Sequence, residues 1–107
     1  MTTWFRTYYE DEDLWFSLKT DEEGWALRHI EIGGMDGRPR TAASLQEVLH
    51  LRDHADLAAM TRYEQRYGTL ADAPLDGWQD QPGAAEITEE EFERLWARAR
   101  RVLGGGG

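Results

Sequence analysis

The stretch Thr88-Glu89-Glu90-Glu91-Phe92-Glu93-Arg94-Leu95-Trp96-Ala97-Arg98-Ala99-Arg100-Arg101-Val102-Leu103 decides what kind of chain this is. Thr88 and Glu91 have capping-box spacing, which satisfies backbone N–H groups that the first helical turn leaves free. Phe92, Leu95, Trp96, Ala99 and Val102 then recur at helical intervals and form one apolar stripe. Glu89, Glu90, Glu91 and Glu93 stand near the positive end of the helix dipole, and Arg98, Arg100 and Arg101 near its negative end. These signals agree, so the spacing predicts a helix docked on an apolar surface. The chain reads as a folded domain, not an acidic tail. Gly104 to Gly107, which follow, read as a flexible tail.

The surface for that helix is legible at the other end of the chain. Thr2 to Tyr9 is rich in β-branched and aromatic residues and reads as a strand, with Trp4, Arg6 and Tyr8 on one face. Glu10-Asp11-Glu12-Asp13 makes a turn. Leu14 to Lys19 follows as a second strand, with Leu14, Phe16 and Leu18 alternating against Trp15, Ser17 and Lys19. Asp21-Glu22-Glu23-Gly24 is the next turn, and Trp25 to Ile32 the third strand. After Gly33-Gly34-Met35-Asp36-Gly37, Arg38 to Ala42 forms a short fourth strand, which Pro39 confines to an edge or a strand start. The expected sheet is an antiparallel meander of three or four strands.

Between sheet and terminal helix the pattern is mixed. Ser44-Leu45-Gln46-Glu47 has capping-box spacing and opens a helix through about Arg52. Leu57, Met60, Tyr63 and Tyr67 repeat at helical intervals up to Gly68. This region fits two helices or one bent helix, and Leu45, Glu47, Leu49 and Leu51 also alternate imperfectly as a strand would. Thr69 to Glu86 carries Pro74, Pro82, Gly77 and Gly83 without periodicity and reads as a long loop, with Leu75 and Trp78 as anchors on the core. The fold class is α+β: residues 1–103 form one domain, its sheet packed on one side by two or three helices.

A chain of 107 residues has length for one such domain and a modest core. Five Trp, four Tyr and three Phe supply large apolar area per residue. Cysteine is absent, which excludes disulfides and thiolate metal sites. No apolar run approaches a bilayer span, and Met1-Thr2-Thr3-Trp4 lacks signal-peptide regions, so the expected location is the cytoplasm. Twenty-one acidic against twelve basic side chains give a net charge of −9. That field disfavours nucleic acid and anionic membranes as partners, and it accelerates encounter with a basic protein.

Few residues carry recognisable chemistry. His50 and His54 stand four apart, as helical metal pairs do, and Asp53 or Asp56 is the nearby further ligand. Zinc needs three or four, so ordinary surface histidines are the simpler reading. No Gly-x-Ser-x-Gly elbow and no phosphate loop is present. A meander brings the Glu10–Asp13 turn close to the Gly33–Gly37 turn, so Glu10, Asp11, Glu12, Asp13 and Asp36 can share one end of the sheet. Capture of a basic protein surface is the best use of such a group. Trp15 and Trp25 join them as candidate partner-binding residues, because helices cover only one face of a small sheet and Trp, Tyr and Arg dominate interaction hot spots.

The segments Glu23-Gly24-Trp25-Ala26-Leu27-Arg28-His29-Ile30-Glu31-Ile32, Asp36-Gly37-Arg38, and Ile87-Thr88 with Glu91 to Ala99 also carry a resemblance. Together they resemble a family of small bacterial domains of uncharacterised role, which end in an E-E-F-E-x-L-W-x-x-A helix. Some of these look like immunity proteins, which neutralise a toxin encoded beside them. The expected function is a non-enzymatic acidic protein-binding domain, of which the resemblance implies one form, an immunity-type inhibitor. A basic toxin or nuclease is the target the charge favours. The resemblance brings no catalytic residues, and no cofactor or metal-binding residues are expected. The alternatives are a small regulatory or scaffold subunit that binds through an aromatic sheet face, and a metal-assisted enzyme using His50, His54 and Asp53.

Overall fold

The computed structural model describes residues 1–71, 73–75 and 77–104, so the flexibility expected of residues 105–107 lies outside the described residues. Among the described residues five strands form one antiparallel sheet: β1 (Thr3–Tyr9), β2 (Leu14–Thr20), β3 (Ala26–Gly33), β4 (Pro39–Ser44) and β5 (Ala85–Glu86), in the order β4-β3-β2-β1-β5. Three α-helices among the described residues accompany it, α1 (Leu45–His54), α2 (Leu57–Tyr67) and α3 (Glu89–Leu103), with a short 3-10 helix at Trp78–Asp80. The α+β class and the meander of the first four strands are as the alternation predicts. The fifth strand was not expected. It has two residues and no pattern of its own, and it forms because β1 offers an open edge on which Phe5 pairs with Glu86 and Arg6 with Ala85. Pro39 opens β4, a position that needs no ladder N–H.

Each sheet face has its own cover. On one face Ile30 and Ala42 meet Phe92 and Ala99 of α3, all with no exposed surface, and Trp4, Ile32, Ile87, Leu95, Trp96 and Leu103 pack around them. Thr88 caps α3 through its side chain, which accepts the Glu91 N–H at 3.0 Å. Leu103, not Val102, completes the stripe, and Val102 is 41% exposed. At 3.6 residues per turn, Leu103 returns to the meridian of Phe92 and Val102 falls short of it.

The opposite face was expected to stay open, and here the structure corrects the sequence reading. Phe5, Leu18 and Ala26 are buried beneath Leu70, Ala71, Leu75 and Trp78 of the long loop. Trp78 stacks on Phe5 with ring centroids 4.3 Å apart. Leu75 and Trp78 are thus anchors, as their isolation in a polar loop suggested, and the loop substitutes for a second helical layer.

Nor do all helices share one side. The Ala42 carbonyl of β4 accepts from Arg100 Nε at 2.9 Å, and the Ser44 N–H donates to the Tyr63 hydroxyl at 2.9 Å, so α2 and the end of α3 meet along β4. Neither α1 nor α2 has a buried residue. They are separate helices: Ala55 is extended, and the Asp56 side chain caps α2 by accepting the Ala59 N–H at 2.8 Å. The capping box read at Ser44 is not formed, since the Ser44 side chain makes no cap bond. Glu47 turns instead to Arg100 and Tyr63. A charged guanidinium is the stronger partner for a carboxylate. Among the described residues no helix is long and apolar enough to cross a membrane.

Candidate functional site

The seven residues singled out for partner binding fall at two ends of the sheet. The Glu10–Asp13 and Gly34–Gly37 turns do lie side by side, because the Gly34 N–H donates to the Asp13 carbonyl at 2.8 Å. Two of the five carboxylates there are already engaged. Asp13, held at φ 53, accepts the Tyr8 hydroxyl, and that bond raises the tyrosine's pKa above its ordinary value. Asp36 accepts the Arg38 N–H and Arg40 Nη2, each at 3.0 Å; the Arg38 N–H is the main cause of its lowered pKa. Glu10, Asp11 and Glu12 remain as exposed side chains on a convex turn. Trp15 is half-buried: its ring lies under Arg6 at 5.2 Å, beside Tyr8, and against the backbone at Gly83. Gly83 adopts φ 65, and a Cβ there would press on the Trp15 ring and on Cβ of Tyr8.

Trp25 belongs to a different place. It is 39% exposed at the far end of the sheet, in a turn fastened from both sides. Asp21 Oδ1 accepts the Glu23 and Trp25 N–H groups at 2.9 and 3.0 Å, and the Asp21 N–H donates to the Trp25 carbonyl at 3.0 Å. Gly24 supplies the positive φ of 87 that the turn needs, and its carbonyl accepts the Leu75 N–H of the covering loop at 2.9 Å.

This turn, the α1–α2 pair and residues 68–71 enclose an apolar cleft of about 430 Å³. Its walls are Trp25, Leu45, Val48, Leu49, Met60 and Leu70. The volume lies in the range of ligand pockets, about 300–1,000 Å³. Asp21, Arg52 and Glu64 are the charged residues of its lining. Arg52 pairs with Asp53 at 3.2 Å, and no ion pair reaches Asp21 or Glu64 among the described residues.

Two side-chain groups hold the walls in position. Behind the loop wall, buried His29 accepts the Ala71 N–H on Nδ1 at 3.1 Å, which assigns its proton to Nε2. Nε2 lies 3.1 Å from Glu31 Oε1 but off the line of a hydrogen bond. The polar Nε2–H of the ring lies against the carboxylate and, with a smaller contribution from Thr41, holds the Glu31 carboxyl below its ordinary pKa against the opposing effect of burial. On the helical side, burial pushes the Glu47 carboxyl up, but hydrogen bonds from Arg100 and Tyr63 outweigh it and leave the pKa lowered. Burial pushes the Tyr63 hydroxyl up to about 12, so it stays protonated and donates to Glu47 at 2.8 Å. Arg100 also lies over the rings of Tyr67 at 3.9 Å and Trp96 at 4.5 Å, joining α1, α2 and α3 through one guanidinium.

The histidine pair stands on the exposed side of α1, with ring centroids 4.7 Å apart. Asp53 is turned to Arg52, and among the described residues no three His, Cys, Asp or Glu side chains converge as metal ligands would. Periodicity marked Leu45, Val48, Leu49 and Met60 as apolar helix faces, yet gave no sign that they face a gap. No protein-family model, curated protein or solved structure matches the chain.

Proposed function

We propose that this chain is a non-enzymatic binding domain that engages a protein partner through the cleft between the Asp21–Trp25 turn and the α1–α2 pair. One observation carries the reading: the cleft's walls are apolar and open to solvent, with Trp25 and Leu49 at 39% and 36% exposure. Trp is among the residues that dominate interaction hot spots, which cluster in pockets that exclude water. The charged groups of the lining stand on three different elements, the turn, α1 and α2, an arrangement suited to orienting a ligand. Its net charge of −9 favours a partner with a basic surface, and a basic toxin or nuclease held by an immunity-type inhibitor fits that description.

Site-specific photo-crosslinking in cells that make the protein tests this. A photoreactive residue at Leu49 is expected to give a discrete protein adduct, lost when Val48→Asn is added. The same residue at Met35, 96% exposed in the β3–β4 turn, is expected to give none. Adducts from position 35 alone, or from neither position, would overturn the reading.

A further inference from the structure

Resting on that reading, we infer that the occupant of the cleft is a basic segment of the partner that inserts one bulky apolar side chain between Trp25 and Leu49. The apolar walls call for an aliphatic or aromatic group, since a polar one would lose its water without replacement. Charge decides what flanks it. Asp21 stands on one bank with exposed Glu23 in the same turn, and exposed Glu64 stands on α2 across the cleft. Arg52, the cation of the lining, is paired with its own neighbour Asp53 at 3.2 Å. Lysine or arginine on either side of the inserted residue therefore meets a carboxylate on each bank.

Other occupants fit less well. A second copy of this chain would bring another net charge of −9 to an acidic rim, which opposes association. An anionic lipid surface meets the same repulsion. A neutral apolar peptide would fill the walls but bring no cation to the carboxylates of either bank.

Panning a library of short random peptides against the full chain tests the occupant. Enriched peptides are expected to carry Leu, Ile, Met, Phe or Trp close to Lys or Arg. Replacing that apolar residue by Ala is expected to weaken binding about tenfold or more. High salt is expected to weaken binding several-fold, since the flanking contacts are charge pairs at a wet rim. Leu49→Asn, a neutral change at a half-open position, is expected to abolish selection, and Glu64→Lys to shift it away from basic sequences. Circular dichroism identical to that of the parent chain establishes that both variants fold. Peptides that depend on Leu49 but lack basic residues, or that Glu64→Lys leaves unaffected, would overturn the basic occupant and leave the cleft reading intact. Basic peptides indifferent to Leu49→Asn would overturn the insertion, placing them in the general acidic field. No enrichment at all would overturn both.

Discussion

α3 and the α1–α2 pair are helical regions of similar size held in opposite ways. α3 seats Phe92 and Ala99 in the sheet with no exposed surface, and its cap, stripe and charges agree with one another. The α1–α2 pair buries no residue and hangs on side-chain bonds, chiefly those of Glu47, Tyr63 and Arg100. What the difference teaches is a division of labour: the helix that fills the core maintains the fold, and the pair that does not leaves an apolar cleft open beside it. Regions of low local stability are where binding surfaces tend to lie.

The largest test of this contrast is Phe92→Ala. Loss of that fully buried ring is expected to cost about 3–5 kcal/mol in denaturant unfolding, with sheet and helices melting together. Gly68→Ala comes next. Gly68 ends α2 at φ 82 and ψ −173, a region nearly closed to other residues, and a Cβ would strike Thr41. A cost of about 1–3 kcal/mol is expected, with the cleft deformed even where the domain stays folded.

Glu47→Gln should separate the two regions. The carboxylate is 44% exposed, so about 1 kcal/mol is expected, read as faster amide exchange in α1 and α2 with β2 and β3 unchanged. Equal acceleration in the sheet would break the comparison. The same variant carries a pH signature. Glu31 and Glu47 have pKa values lowered by folding, so each binds its proton more readily when unfolded. Their contribution is complete above the ordinary carboxylate range and is lost as pH falls through the lower folded values. Acid unfolding of Glu47→Gln should therefore be shallower than that of the parent chain. The smallest effect belongs to Leu57→Glu: at 87% exposure it is expected to change stability by no more than about 0.5 kcal/mol.

The same contrast explains what could be read from sequence. α3 was legible because cap, period and charge gradient speak about one continuous segment. The first four strands were legible because alternation is local. The cleft was not, since Trp25, Leu49, Met60 and Leu70 come from four segments whose approach is set by tertiary packing. Trp25 was singled out, but beside acidic residues that lie at the other end of the sheet. Leu70 and Ala71 gave no signal, because loop residues that cover a core need no period. Ser44 and Glu47 gave a misleading one: a capping box presumes that its glutamate is free, and a guanidinium fifty-three positions away had the stronger claim.

The bonds along β4 have one more consequence. Arg100 and Tyr63 occupy the outward carbonyl of Ala42 and the outward N–H of Ser44, and on the other flank β5 and the Tyr8–Pro82 bond occupy β1. A neighbouring molecule seeking to add a strand finds both rims of the sheet obstructed, one by side chains and one by its own backbone. Exposed rims are the usual template for fibrous self-association. This aromatic-rich chain thus has a built-in safeguard against stacking into filaments through the rims of its sheet.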